Sequence, residues 1–412
     1  MTAPQSASNF NRRTFLKYTS ASATALAASA LPGQQAAGAN ERISIGLIGV
    51  GGRGSALMGE IFAAAKKQNV QITAVCDVWQ KNRRAAVSQI KEKLGHDARE
   101  FSRFGELLAL KDIDAVTIAT PDFSHGPILV AALESGKDVY VEKPMTIDLA
   151  SANRAFDLAR AKNRVVQAGT QRRSDGHHIG AAKLLATGVL GQINRVSAAM
   201  YFNQARWAVN YADCQETDVD WEAFLLHLPK RPFDAKLLRR WQLYRDCTNG
   251  LAGLWMTHYA DAVHLLTGAK YPASAAAHGG IYVWKDGREH TDTFHALLDY
   301  PEGFLFDWGM GLGNSAGVHF GVHGTKGTLD VEAWTLSSEG GAGPKIETVK
   351  VQPEAGIGHI ENWLQGLRSR RRPNADIQFG HQHAVATIMA ATALETGRRQ
   401  KWDPVKREIV PG

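Results

Sequence analysis

Apolar positions follow two regimes along the chain. From residue 42 to about 165, short apolar runs alternate with longer stretches of helical composition. Residues 42–49 (RISIGLIG), 70–76 (VQITAVC), 114–120 (DAVTIAT) and 138–141 (DVYV) read as buried strands. Strand–helix alternation predicts a doubly wound parallel sheet, an α/β arrangement. After Gly169-Thr170-Gln171-Arg172-Arg173 the pattern changes. Residues 193–201, 281–284, 293–300, 304–308, 319–323 and 328–331 read as strands, joined by turns such as Lys285-Asp286-Gly287. Helices are predicted over 176–187, 252–266, 357–367 and 380–396. Successive strands without intervening helices predict an α+β domain with a large, mostly antiparallel, open-faced sheet. The expected division is 40–165 for the first domain and 166–412 for the second.

Residues 1–39 fit neither regime. Arg12-Arg13-Thr14-Phe15-Leu16-Lys17 precedes a small-residue apolar stretch over 18–31, then Pro32-Gly33 and Ala37-Gly38-Ala39. This order predicts a signal peptide too short to span a bilayer, cleaved after Ala39. Paired arginines before a weakly apolar run resemble a twin-arginine (Tat) signal, which implies a periplasmic or secreted protein exported folded. No other apolar run is long enough to cross a membrane, so none is expected to hold the mature chain. The charge then reads differently. Of the formal +7, +3 lies in residues 1–39 and +4 on the remainder. That balance gives no ground for a nucleic-acid partner, and the run 368–372, with four arginines, has no interleaved aromatics. Cys76, Cys214 and Cys247 lack metal-ligand spacing, while a Cys214–Cys247 disulfide is conceivable. No metal is expected at His381-Gln382-His383 either, because side chains two apart on a helix diverge.

Candidate chemistry begins at Gly49-Val50-Gly51-Gly52-Arg53-Gly54, a G-x-G-x-x-G run between a strand and a helix. Gly49 permits the tight turn, Gly51 lets backbone approach a pyrophosphate, and Gly54 allows close helix–strand packing. The helix N-terminus adds free N–H groups and a positive dipole. Asp77 ends the second strand, near the spacing expected of a ribose-binding acid. A carboxylate there favours NAD and repels the 2′-phosphate of NADP, although Arg83 and Arg84 follow closely enough to keep NADP open. Thr120-Pro121-Asp122-Phe123-Ser124-His125 and Glu142-Lys143-Pro144 also follow strands. Ligands of such sheets bind beyond the carboxyl ends of strands, so these turns are expected to converge.

With these turns in place, the sequence resembles the glucose–fructose oxidoreductase/inositol dehydrogenase (Gfo/Idh/MocA) family. The resemblance rests on Gly49–Gly54, Asp77, the Ala-Thr-Pro-x-x-x-His run ending at His125, and Glu142-Lys143-Pro144, and spans roughly 42–410. It implies a Rossmann domain that binds NAD or NADP and a second domain for a sugar or polyol. The implied cofactor residues are Gly49, Gly51, Gly52, Arg53, Gly54, Asp77, Thr120, Pro121, His125, Glu142 and Lys143. Lys143 is implied to touch the reacting hydroxyl, Glu142 to face the nicotinamide, and the Lys143–Pro144 bond to be cis. Pairing of copies through the open sheet, as dimer or tetramer, is also implied.

One departure stands out. The family places D-x-G-x-H-x-x-D on a helix, whereas this chain has Leu254-Trp255-Met256-Thr257-His258-Tyr259-Ala260-Asp261. His258 and Asp261 remain; the preceding Asp is Leu254 and the Gly is Met256. His258 is therefore a second catalytic candidate, with Asp261 as its available orienter. Arg172, Tyr201, Trp241, Tyr244, Arg245 and Tyr259 offer flat apolar faces and polar tips suited to a sugar, with His177 and His178 possible neighbours. The leading expectation is an exported NAD(P)-dependent oxidoreductase acting on a sugar or glycoside hydroxyl, with a tightly held, recycled cofactor. Glycoside cleavage through transient oxidation and elimination is the first alternative. A catalytically silent sugar sensor is the second.

Overall fold

Six parallel strands build the first sheet: β1 (Ile43–Ile48), β2 (Val70–Cys76), β3 (Arg99–Phe101), β4 (Ala115–Ile118), β5 (Asp138–Val141) and β6 (Val166–Ala168). In the computed structural model their order is β3-β2-β1-β4-β5-β6, the doubly wound topology expected. The structure describes residues 41–207 and 210–412, so the export signal expected over 1–39 lies outside the described residues. Residues 43–412 form one unit.

The parallel sheet passes the expected boundary at residue 165, because Val166 and Ala168 of β6 pair with Val139 and Val141 of β5. The C-terminal part of the chain also returns to this domain. Helix His359–Ser369 places Ile360, Trp363, Leu364 and Leu367 at three- and four-residue spacing, hence on one face. That face packs with Ile45, Leu57, Ile72 and Tyr140.

The second sheet has ten strands: β7 (Ile193–Asn203), β8 (Ser274–Gly280), β9 (Thr293–Tyr300), β10 (Phe304–Gly311), β11 (Gly313–Gly324), β12 (Gly327–Asp330), β13 (Thr335–Ser337), β14 (Val349–Lys350), β15 (Gln400–Asp403) and β16 (Glu408–Pro411). Only β7 and β10 pair in parallel. In β9, Phe294, Ala296, Leu298 and Tyr300 are buried while His295, Leu297 and Asp299 face out. This period of two is what one open face requires. Helices Gly176–Ala186, Thr257–Thr267 and Ile377–Thr396 cover the other face, joining Leu185, Val263 and Met389 to Phe306 and Trp308 in one core.

Two expectations about secondary structure fail for physical reasons. Residues 281–284 form no strand, because the Asp292 carboxylate accepts from the N–H groups of Tyr282, Val283 and Trp284 at 3.0, 2.7 and 2.8 Å. The strand in that region is β8, whose Ser-Ala-Ala-Ala-His-Gly-Gly sequence has no β-branched residue to announce it. The helix predicted over 252–266 begins instead as a widened π turn, Ala252–Met256, before the α-helix Thr257–Thr267. Cys214 and Cys247 are both free, buried thiols, and burial pushes Cys247 up to about 12. Among the described residues no cluster fit for a metal ion occurs, and no helix is long and apolar enough to cross a membrane.

Candidate active site

The carboxyl ends of β1, β2, β4 and β5 open on one cavity of about 660 Å³. Gly49 adopts φ +82°, and a Cβ there would lie 2.7 Å from the Ala119 main chain. A Cβ on Gly54 would lie 2.0 Å from the Gly49 carbonyl oxygen. Gly52 has nothing within 4 Å of its Cβ position, and Gly51 only Asn82 at 3.7 Å. The turn is therefore packed tightly behind and open toward the cavity, where helix Gly52–Gln68 begins. That arrangement fits a pyrophosphate. Asp77 lines the same cavity, its carboxylate accepting from the Val50 and Trp79 N–H groups, each at 2.9 Å. Burial pushes the Asp77 carboxyl up, and these donors with Asn82 pull against it. Arg83 donates to the Asp77 main-chain oxygen at 2.6 Å.

Glu142 is held by Arg53, whose Nε donates to Oε1 at 2.6 Å. The Arg53 Nη2 is buried without a partner, a polar atom left for a ligand. His125 bridges two of the turns, with Nδ1 2.8 Å from the Pro144 oxygen and Nε2 2.8 Å from the Thr120 oxygen. The Lys143–Pro144 peptide is cis.

Lys143 marks the passage from the dinucleotide cradle into the second domain. Its Nζ donates to the Leu254 main-chain oxygen at 2.8 Å. Leu254 is the position where the family pattern has an Asp, so the lysine is held by a carbonyl of the π turn and not by a carboxylate. Thr257 fastens that turn from inside, its hydroxyl donating to the Gly253 oxygen at 2.7 Å. His258 lines the cavity one turn further on. Burial lowers its pKa well below the usual histidine value, and Lys143 and Arg172 push in the same direction. Its imidazole is therefore neutral near neutral pH, with a ring lone pair unprotonated. Asp122, absent from the sequence-based candidates, lines the cavity as well and accepts from the Thr248 hydroxyl at 2.8 Å. Burial raises its carboxyl, with His125 and Lys143 opposing.

A strap from the second domain closes over the ribose side. Val219 bridges Trp79, the Asp220 N–H donates to the Val78 oxygen at 2.9 Å, and the Asp220 carboxylate accepts from Ser102 and Arg103. Ala223, Phe224, Leu226, Leu238 and Arg239 thereby line the cavity together with Asp77, Trp79 and Asn82.

Of the expected substrate residues, only Trp241 lines this cavity. Tyr201 points from the outer sheet face, its ring 6.5 Å from His295. Tyr244 packs with Phe123 and Leu237, and exposed Arg245 binds the Glu289 oxygen at 3.1 Å. Tyr259 is buried in the core against Trp308, with the Arg172 guanidinium 4.2 Å over its ring. Asp261 does not orient His258. It is fully buried and accepts from Arg173 Nε at 2.8 Å, with His383 at 3.6 Å. Burial pushes its carboxyl up, but Arg173 and His383 outweigh that and hold it below the usual range. His177 and His178 pack on Trp334, away from the cavity. Arg206, Trp207, Trp255 and Gln242 line it unanticipated, because no local motif marks them.

A Rossmann domain whose strand-end turns meet an open-sheet domain at a lysine defines the dinucleotide-dependent oxidoreductase class. The chain belongs to the Gfo/Idh/MocA oxidoreductase family: the model for its NAD-binding Rossmann fold matches residues 43–170, and that for its C-terminal alpha/beta domain residues 182–401. Among relatives, an oxidoreductase of Escherichia coli, YdgJ, is 30% identical over 221 residues, covering 53% of each chain. An inositol 2-dehydrogenase of Salmonella paratyphi B is 30% identical over 152 residues, 36% of this chain and 43% of that one. The chain thus spans about half the length of the relatives it matches. The solved aldose–aldose oxidoreductase of Caulobacter crescentus shares the fold, with TM-score 0.66, 18% identity, and coverage of 87% of this chain and 99% of that one.

Proposed function

We propose that this chain is an NAD-dependent oxidoreductase acting on a secondary hydroxyl, or the corresponding ketone, of a sugar, glycoside or polyol. The observation that carries this reading is the single cavity that runs from the glycine cradle past Asp77 to Lys143 and His258. Gly49–Gly54 and Asp77 would hold the pyrophosphate and ribose, and the occupied Arg83 leaves NAD as the better fit. Bound NAD supplies a hydride acceptor, or in reduced form a donor. The neutral His258 imidazole takes the hydroxyl proton in oxidation and returns it in reduction. Lys143 Nζ, positioned by the Leu254 carbonyl, donates a hydrogen bond to the reacting oxygen. Glu142 fixes the Arg53 guanidinium beside the cradle.

The strap around Val219 and Asp220 supports a second part of the proposal, a cofactor retained between half-reactions. Export through the twin-arginine route gives that retention a purpose, since free dinucleotide is scarce outside the cytoplasm. Pairing through the outer sheet face belongs to the same reading. The test is to purify the mature protein, identify the bound dinucleotide by mass, and add sugars while following reduction of that cofactor. Turnover of sugars by a second sugar, without added NAD, supports the whole reading. A dialysed protein without dinucleotide, active only with abundant added NAD, overturns the retention.

A further inference from the structure

Arg206 lies at the substrate end of the cavity, three residues beyond β7. Its guanidinium sits 4.9 Å over the Trp255 ring and 5.6 Å over that of Phe202. Trp255 belongs to the π turn, next to Leu254 and three residues before His258. This aromatic platform therefore holds a positive charge in the cavity that His258 also lines.

The other cavity arginines are neutralised. Arg53 pairs with Glu142 and Glu60 at 2.6 and 3.2 Å, and Arg239 with Asp213 at 3.2 Å. Arg206 makes no ion pair or side-chain hydrogen bond with a described residue, although it is partly buried. The carboxylates in the lining are already engaged, Glu142 by Arg53, Asp122 by the Thr248 hydroxyl and Asp77 by the Val50 and Trp79 N–H groups. A guanidinium resting on aromatic faces keeps its in-plane N–H donors free, and their fork matches a carboxylate. A neutral sugar would leave this charge without a partner in a cavity partly closed to water. An anionic one pairs it.

Resting on the reading of this cavity as a sugar oxidoreductase site, we propose that the substrate is an acidic sugar, a hexuronate or uronide, whose carboxylate binds Arg206 while Trp255 faces the ring. The matched probes are methyl glycosides of glucose, galactose and mannose and the corresponding methyl uronides, which differ only in a carboxylate at C6. Affinity for the purified holoprotein is measured by calorimetry, and turnover by reduction of the bound cofactor. At least one uronide is expected to bind about tenfold or more tightly than its neutral partner, with the advantage shrinking as salt is raised. Arg206→Gln should weaken that uronide about tenfold more than the neutral glycoside, and Arg206→Lys should restore part of the difference. Uronides that bind no better than their partners, or not at all, overturn the proposal. So does an Arg206→Gln loss equal for both members of a pair. An Arg206-dependent preference without cofactor reduction upholds the acidic ligand and overturns the redox reading instead.

Discussion

The dinucleotide end of the cavity is made by turns that each follow their own strand. The substrate end draws Lys143, Arg206, Trp255 and His258 from three separated stretches of chain. At the first end, backbone shape does most of the work: Gly49 and Gly54 pack where a Cβ would clash, and Gly52 leaves open space. At the second, side chains meet across a domain boundary, and their partners include a main-chain carbonyl in an irregular turn. Motifs therefore report fully on the first end and reach the second only at Lys143 and His258.

The largest effect should come from the residue that joins the two ends. Lys143→Ala is expected to lower kcat by roughly 10³-fold while the protein keeps its dinucleotide, as read by mass after purification. Loss of the dinucleotide as well would move Lys143 from the chemistry to the cradle. Next comes the pair that resembles site machinery but lies in the core. Arg173→Met strands the Asp261 carboxylate and should cost about 3–5 kcal/mol in urea unfolding. The Asp261 carboxyl is held low in the fold, so its stabilisation is present above the unfolded value of about 3.9 and fades as pH falls toward the lower folded one. A change in KM without loss of stability would return Asp261 to the site.

His258→Gln should reduce kcat by roughly 10²-fold. Because the folded pKa of His258 lies well below about 6.5, wild-type sugar oxidation should hold its rate as pH falls through that value and decline only in more acid solution. A rate that halves near about 6.5 would show an ordinary solvated histidine. The smallest effect is expected at the strap. Asp220→Ala removes a partly exposed cluster with Ser102 and Arg103 and the cap on the Ala223 N–H, and should speed exchange of bound dinucleotide a few-fold. Exchange can be followed with labelled NAD, and an unaltered rate would separate the strap from retention.

The failures of sequence reading have common causes. Tyr201, Tyr259 and Arg172 are the residue types a sugar site uses, yet sheet register sends Tyr201 to the outer face and helix phase turns Tyr259 into the core. Asp261 sits three residues from His258 and still faces Arg173, because the helix directs it inward. Residues 281–284 look like a strand until a distant carboxylate, Asp292, takes their N–H groups. Trp79 and Val219 are remote in sequence, as are Val78 and Asp220, and only folding brings each pair together.

By itself the sequence determined the doubly wound domain, the glycine turn, Asp77, the converging strand-end loops and Lys143, because each depends on residues within a few positions of one another. Buried strands, tight turns and helix starts are local physics, and local physics is written in order along the chain. The tertiary structure alone decided what replaces the carboxylate missing at Leu254, which aromatics face the cavity, and that Arg206 stands there without an ion pair to a described residue. Those outcomes depend on side-chain direction and on neighbours from other elements. In the π turn, a carbonyl that no side-chain pattern encodes became the partner of Lys143.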